Sequence, residues 1–245
     1  MDVNWIAVSF IGFGVLCTIA ELVRPARKLH YFQRDALPFD LVSLAVVQLA
    51  FAPLALYVAN PVAAHVQRYM PASIYALPLV PRVIAVYVVA DLVGYWMHRL
   101  YHTRQLWRIH RYHHSPTQLY WLAGVRVTAP QLILTNLPVA LVVPLISDAP
   151  DWVFVAFVIA TVVTNHWMHV NVSWRSNWLE KVFVTPRSHH VHHATDAKLQ
   201  HGNYGVVFSV WDRLFGTYVD PDVATPKKFG TGEKKRDPVL LMIGI

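Results

Sequence analysis

Apolar residues in this chain fall in long runs rather than in the alternating or half-helical patterns of a water-soluble domain. Four runs approach membrane-spanning length: Val3 to Val23, Phe39 to Ala59, Ile74 to Met97, and a double-length run from Pro130 to His169 broken by SDAPD. A crossing takes about 20 mostly apolar residues, so the last run holds two, joined by a tight turn at Asp148 to Asp151. The pattern predicts an all-α, polytopic membrane bundle of about four to five spans. Pro53, Pro78, Pro81, Pro138 and Pro144 are tolerated in such spans where neighbours satisfy the freed backbone groups. The opening MDVNW lacks the basic start of a cleaved leader, so the first run reads as an anchor.

Charge changes the picture by giving the bundle a direction. With the amino terminus outside and five crossings, the inward segments are Arg24 to Arg34, His98 to Thr128, and everything after His169. They carry four, five and ten Lys or Arg, or 19 of the 21 in the chain, leaving Arg68 and Arg82 near the outer side. This is the positive-inside bias of membrane proteins. It also accounts for the formal charge of +7 through membrane lipids, since basic segments are attracted to an anionic leaflet. No nucleic-acid motif accompanies the charge, so no nucleic-acid partner is expected. The single cysteine, Cys17, cannot form an internal disulfide.

Histidine supplies the candidate chemistry. His98 and His102 lie four apart on one helix face, continued backward by Asp91 and Tyr95. HRYHH holds His110, His113 and His114, NHWMH holds His166 and His169, and SHHVHH holds His189, His192 and His193, with His190 a quarter turn off that face. All four groups fall where the topology places the inner surface. His30 and His65 stand apart and read as ordinary side chains. Imidazole is the commonest protein metal ligand and binds when neutral. Crowded imidazoles without a cation leave donors and acceptors competing for partners. The ten candidate ligands exceed what one ion takes, and two ions would have about five each. Carboxylate-bridged centres use Glu-x-x-His, but Glu21, Glu180 and Glu233 are the only glutamates and none stands three before a histidine. The centre is therefore expected to be all-histidine, or nearly so.

DLVGYWMHRLYH, WRIHRYHHS, HVN, TPRSHHVHH, NYG and WDRLFGTY, in that order from Val83 to Tyr218, resemble the fatty acid hydroxylase and sterol desaturase superfamily of membrane di-iron enzymes. The SHHVHH box is especially similar to the alkylglycerol monooxygenase branch. The resemblance implies an oxidoreductase carrying out oxygen-dependent hydroxylation or desaturation of a lipid C–H bond. It implies two iron ions, which zinc can replace on purification, held by His98, His102, His110, His113, His114, His189, His192 and His193. His169, before Val170-Asn171, matches a further family histidine, and His166 completes the set less securely. Where bacterial relatives read Arg-x-His after the second box, this chain reads Arg126-Val127-Thr128. The family's external donors, cytochrome-type proteins or a reduced pterin, leave the reductant open.

Further residues are read around that centre. Asp91, costly in an apolar span, is expected either to orient His98 or a neighbouring ligand, or to make a structural bond between helices. His190, Asn171 and Asn203 are further candidates to support the ligands. Asn203-Tyr204-Gly205 reads as a turn before a helix packed under the site, with Trp211 and Phe215 on one face. Trp96, Trp107, Trp121, Trp167, Trp174 and Trp178 cluster near the inner boundary and read as an aromatic belt. The whole chain forms one integral-membrane domain, with 83–218 as the catalytic region, a helical metal-bearing cap facing the cytosol, and 225–245 as a loose tail. A non-oxidative metal-binding derivative remains the principal alternative. A transporter would place ligands at the midplane between repeated halves, a membrane cytochrome would pair histidines within spans, and a zincin-like hydrolase would carry Glu in its His motif.

Overall fold

A computed structural model describes residues 4–33, 35–232 and 238–244. These residues form helices joined by short loops, with isolated β-bridges and no strand among them. Helix α1 is Trp5–Val23; α2 (Leu37–Val46), a π-turn at Val47–Phe51 and α3 (Ala52–Gln67) run on as one 31-residue apolar helix; α4 is Leu79–Tyr101. A short α5 (Trp107–His110) leads to α6 (Ala129–Val142), which continues through a 3-10 turn to Ile146, and α7 is Asp151–Trp167. Four of these helical stretches are long and apolar enough to cross a membrane: α1, α2–α3, α4 and α6 with its turn. The fifth expected crossing, α7, is apolar but only 17 residues long.

Most of the prolines in the apolar runs sit where a helix does not need their missing N–H. Pro53 lies in the first turn of α3, directly after the π-turn, and Pro78 caps α4. Pro144 belongs to the 3-10 turn, and Pro138 lies inside α6. The first-turn positions cost little because their amides have no intrahelical partner.

The long helices pack α3 against α6, α1 against α7, and α4 against α6. At one end the Arg82 guanidinium donates two bonds to Asp148 (2.6 and 2.9 Å) and others to the Leu77 and Leu145 carbonyls, joining the start of α4 to the α6–α7 turn. At the other end, buried acids staple loops to helices. Glu21 of α1 accepts the Trp121 and Asn171 amides (2.8 and 2.9 Å) and the Tyr31 hydroxyl (2.7 Å). Asp40 of α2 accepts Arg126 Nε and the Tyr120 hydroxyl, each at 2.5 Å. Each acid is thus buried with its lone pairs occupied, the condition under which such burial is tolerated. The Trp121 indole lies across α1 at Gly14, where an added Cβ would meet the ring at 2.6 Å, and donates to Thr18.

Four short helices follow α7: α8 (Leu179–Val182), α9 (Pro186–His192), α10 (Ala197–Gln200) and α11 (Val210–Leu214). The segment read as a loose tail is partly packed. Phe229 joins a core with Leu119 and Leu122, and Leu241 and Met242 of α12 (Pro238–Met242) bury against Tyr112. Apolar side chains that leave the loop for these pockets outweigh the charged residues that suggested a solvated tail. Residues 233–237, including Glu233, lie outside the described residues.

Candidate metal centre

Two apolar helices deliver histidines to the same end of the bundle. Helix α4 presents His98 in its last turn and His102 as its C-cap, and α7 carries His166 in its last turn, with His169 two residues past its end at Trp167. Helix α5 ends at His110, so His113 and His114 lie in the turn that follows rather than on a continued helix face. Helix α9 carries His189, His190 and His192, with His193 as its C-cap. Its start is fixed by a reciprocal capping box between Thr185 and Ser188, with Pro186 in the first turn.

The nine-residue arrangement separates into two nests. His98, His102, His110, His114 and His192 form one, and His113, His169, His189 and His193 the other. Within each nest one ring nitrogen from every residue lies within 4.8 Å of all the others. The rings of His114 and His193 stack across the boundary, 4.3 Å between centroids. His166 belongs to neither nest. Its Nδ1 is 2.8 Å from the Trp121 carbonyl, and its ring packs edge-on against Phe10 and Trp121.

Outward-facing nitrogens are held by main-chain carbonyls. Nδ1 of His98 donates to Tyr204 O (2.8 Å), that of His192 to Gly202 O (2.8 Å), that of His169 to Asn165 O (2.7 Å), and that of His113 to Arg126 O (3.3 Å). Such bonds fix the tautomer and leave the Nε2 lone pair facing inward. Inside the first nest, Nε2 of His98, His102, His110, His114 and His192 is buried with no hydrogen-bond partner. In the second, His189 Nε2 stands 3.2 Å from His169 Nε2 and 3.0 Å from His193 Nε2. Ring nitrogens that converge without partners, as in the first nest, are costly in a dry interior. A cation at each nest would turn that crowding into ligation, so the residues fit metal ions of the imidazole-binding class.

Electrostatics agrees. Burial, with neighbouring imidazoles adding to it, holds His102, His110, His114, His189 and His193 well below the usual imidazole range. Burial likewise lowers His113 to about 3. The nests are therefore neutral and ready to bind a metal.

The expected supporting residues take definite places. Asp91 does not bond His98. Its carboxylate accepts the Val207 and Phe208 amides (2.8 and 3.1 Å) and the Trp211 indole (2.8 Å), so the bond between elements is the one realised. These donors point at it because residues 207–211 lie against α4, and His98 finds its acceptor in the main chain instead. His190 lies outside both nests, with Nε2 3.4 Å from the His169 carbonyl. Asn171 grips the Arg27 backbone from both sides (3.0 and 2.7 Å). Asn203, at φ 55°, donates to the Ser188 and Val219 carbonyls, bracing α9. Thr128 caps α6 and donates to the Ile109 carbonyl.

Asp212, which the sequence puts at the interface of the helix packed under the site, has definite partners. Its oxygens accept the amides of Tyr204 (2.7 Å) and Gly205 (2.8 Å), fixing the peptide whose carbonyl holds His98. Gly205 is required there, since a Cβ would lie 2.7 Å from the Phe208 carbonyl. Gln200, 3.4 Å from His114 Nδ1, was missed in the sequence. The nearness of NYG to WDR in the chain was the one available signal for Asp212.

A helical membrane bundle ending in two nests of buried, neutral imidazoles is the architecture of a membrane-bound metal-dependent oxidoreductase. The chain belongs to the fatty acid hydroxylase family, whose profile matches residues 83–217. Among curated proteins it is similar to the ornithine lipid hydroxylase OlsE of Rhizobium tropici, 29% identical over 237 residues, covering 90% of this chain and 69% of that protein. It is also similar to the alkylglycerol monooxygenases of Danio rerio (30% over 132 residues) and Homo sapiens (28% over 129 residues). Those matches take in 52% of this chain and 28% of each monooxygenase. No solved structure matches the chain.

Proposed function

We propose that this protein hydroxylates a C–H bond of a membrane lipid with dioxygen, using two iron ions held one in each histidine nest. The observation that carries the reading is the division of nine imidazoles into a five and a four, each converging on one point. Bound there, paired iron supplies the reductive cleavage of dioxygen that an unactivated C–H bond demands. The balance is R–H, dioxygen, two electrons and two protons giving R–OH and water. The chain's own residues do the rest. Main-chain carbonyls hold four of the imidazoles in one tautomer, and burial of the nests keeps bulk water away. The spans deliver the site to a membrane surface where an alkyl chain enters from the bilayer.

Lipid substrates are supported by both named relatives, an ornithine lipid hydroxylase and alkylglycerol monooxygenases. Those names also favour hydroxylation over desaturation, two outcomes that share the first hydrogen abstraction. The distribution of Lys and Arg supports a cytosolic metal face. The test begins with anaerobic purification in mild detergent and measurement of iron and zinc per chain. Lipid extracts are then incubated with ¹⁸O₂ and a chemical reductant and read by mass spectrometry. About two irons per chain, lost in part in His113→Ala, together with ¹⁸O in a lipid product, is the expected result. One tightly held zinc with no iron under any expression condition, or no labelled lipid from an iron-loaded protein, would defeat the proposal.

A further inference from the structure

We infer that a basic cleft beside the second nest is the docking site for an acidic one-electron carrier protein that supplies the reducing equivalents, an inference that rests on the oxygenase reading above. The cleft, of about 620 Å³, lies between the loop after α1, the loop after the HRYHH box, and the segment before residue 230. Arg27, Lys28, Lys227 and Lys228 line it, over a floor that includes Leu119 and Phe229. Among the described residues no ion pair engages the ammonium groups of Lys28, Lys227 or Lys228, and all three are exposed. The described residues lining the concavity carry four like charges and no acid, so the charges repel each other, and an acidic partner relieves that repulsion.

The cleft is rigidly placed. Asn171, two residues beyond the ligand candidate His169, clasps the Arg27 backbone. The Arg27 guanidinium in turn lies 4.4 Å above the Phe229 ring and donates to the Pro226 carbonyl. Beneath the floor, Phe229 packs edge-on against His190, 5.6 Å between centroids. His190 in turn sits 3.4 Å from the His169 carbonyl and is next in sequence to His189. One layer of side chains therefore separates the cleft from the four-histidine nest.

That layer decides the occupant. A substrate carbon has to reach the metal, and Phe229 with His190 bars the way. An electron needs only proximity through packed groups. Hydroxylation consumes two electrons per R–H converted, so two reduced carriers dock in succession and each is oxidised once per turnover, while the two protons come from solvent.

The test uses the full chain in phosphatidylcholine nanodiscs, with two acidic probes, a plant-type [2Fe–2S] ferredoxin and the soluble haem domain of a cytochrome b5. Binding is followed by surface plasmon resonance across a salt series. At least one probe should bind, and Lys227→Glu/Lys228→Glu should weaken it about tenfold or more and flatten the salt dependence. Lys227→Gln/Lys228→Gln should give an intermediate loss, and melting temperature and metal content should stay unchanged. Absence of binding by both probes, or affinity indifferent to charge reversal, would overturn the inference. So would loss of phosphatidylglycerol or inorganic phosphate binding, with carrier binding intact, in the same variants. Turnover with a chemical reductant separates the two readings. Labelled product without charge-dependent docking removes the cleft's role alone, and docking without any labelled product removes the oxygenase.

Discussion

His98 and Tyr204, 106 residues apart, are joined by a 2.8 Å bond from the imidazole Nδ1–H to a main-chain carbonyl. The Tyr204 and Gly205 backbone N–H groups in turn donate hydrogen bonds to the Asp212 carboxylate. A carboxylate with no contact to the nest thus sets the aim of one of its rings. Asp212→Asn should lower metal affinity about 10–100-fold and destabilise the fold by roughly 1.5–3 kcal/mol. Competition with a graded series of chelators reads the first and denaturant unfolding in detergent the second. A stability loss with unchanged metal affinity would show that Asp212 supports the loop without orienting His98.

His166 and His169 lie three apart at the end of one helix yet face different surroundings. His169→Ala should remove about one metal per chain, whereas His166→Ala should leave the metal count intact. Elemental analysis of both purified variants decides the matter. Equal loss in the two would place His166 among the ligands.

Asp40 and Arg126 form a buried ion pair, with relative side-chain exposures of 0% and 3%. Removing one partner strands a charge, so Arg126→Met should cost about 3–5 kcal/mol, while Asp40→Leu/Arg126→Met should recover most of it. Because the Arg126 carbonyl also meets His113, metal content should track stability across the set. A double variant no more stable than the single would mean that the pair's specific bonds matter beyond charge balance.

Two glycines make a paired test. Gly205→Ala drives a methyl to within 2.7 Å of the Phe208 carbonyl and 2.9 Å of Asp212, so a loss of about 1–3 kcal/mol is expected. Gly94→Ala meets only the Val206 side chain at 3.6 Å within α4, and should be neutral or gain up to about 1 kcal/mol from helix propensity. Melting curves of the two variants should move in opposite directions, or only the first should move.

Chelation offers a fifth check. The nests bury ring nitrogens with no partner in the protein, so bound metal should contribute strongly to stability. At a free metal concentration of 100 Kd the linkage is about 2.7 kcal/mol per site. Stripping the metals should lower the melting temperature, and adding iron back anaerobically should restore it. An unchanged melt would mean that the nests tolerate their crowding without a cation.

Much of this was readable from the chain. The apolar runs anticipate the long helices, and HxxxH with two HxxHH boxes announces more imidazoles than one ion can use. Spacing misled where the backbone left its helix. His110, His113 and His114 would share a face if α5 continued, but α5 stops at His110, and His113 goes to the other nest. Likewise His192 leaves His189 and His193, although all three lie on α9 or its C-cap. Asp91 was recognised as too costly to be idle, but its partners lie on residues 207–211, and no local pattern names them.

By itself the sequence determined the kind of chemistry and the solvent it occurs in, because imidazole spacing and hydrophobic run length are local properties of the chain. Tertiary structure alone decided how the imidazoles are shared, which of them stands aside, and what holds four of the rings. The carbonyls of Tyr204, Gly202, Asn165 and Arg126 do the holding. Every residue has a carbonyl, so only folding, by placing a particular one 2.7–3.3 Å from a ring nitrogen, makes it part of the site.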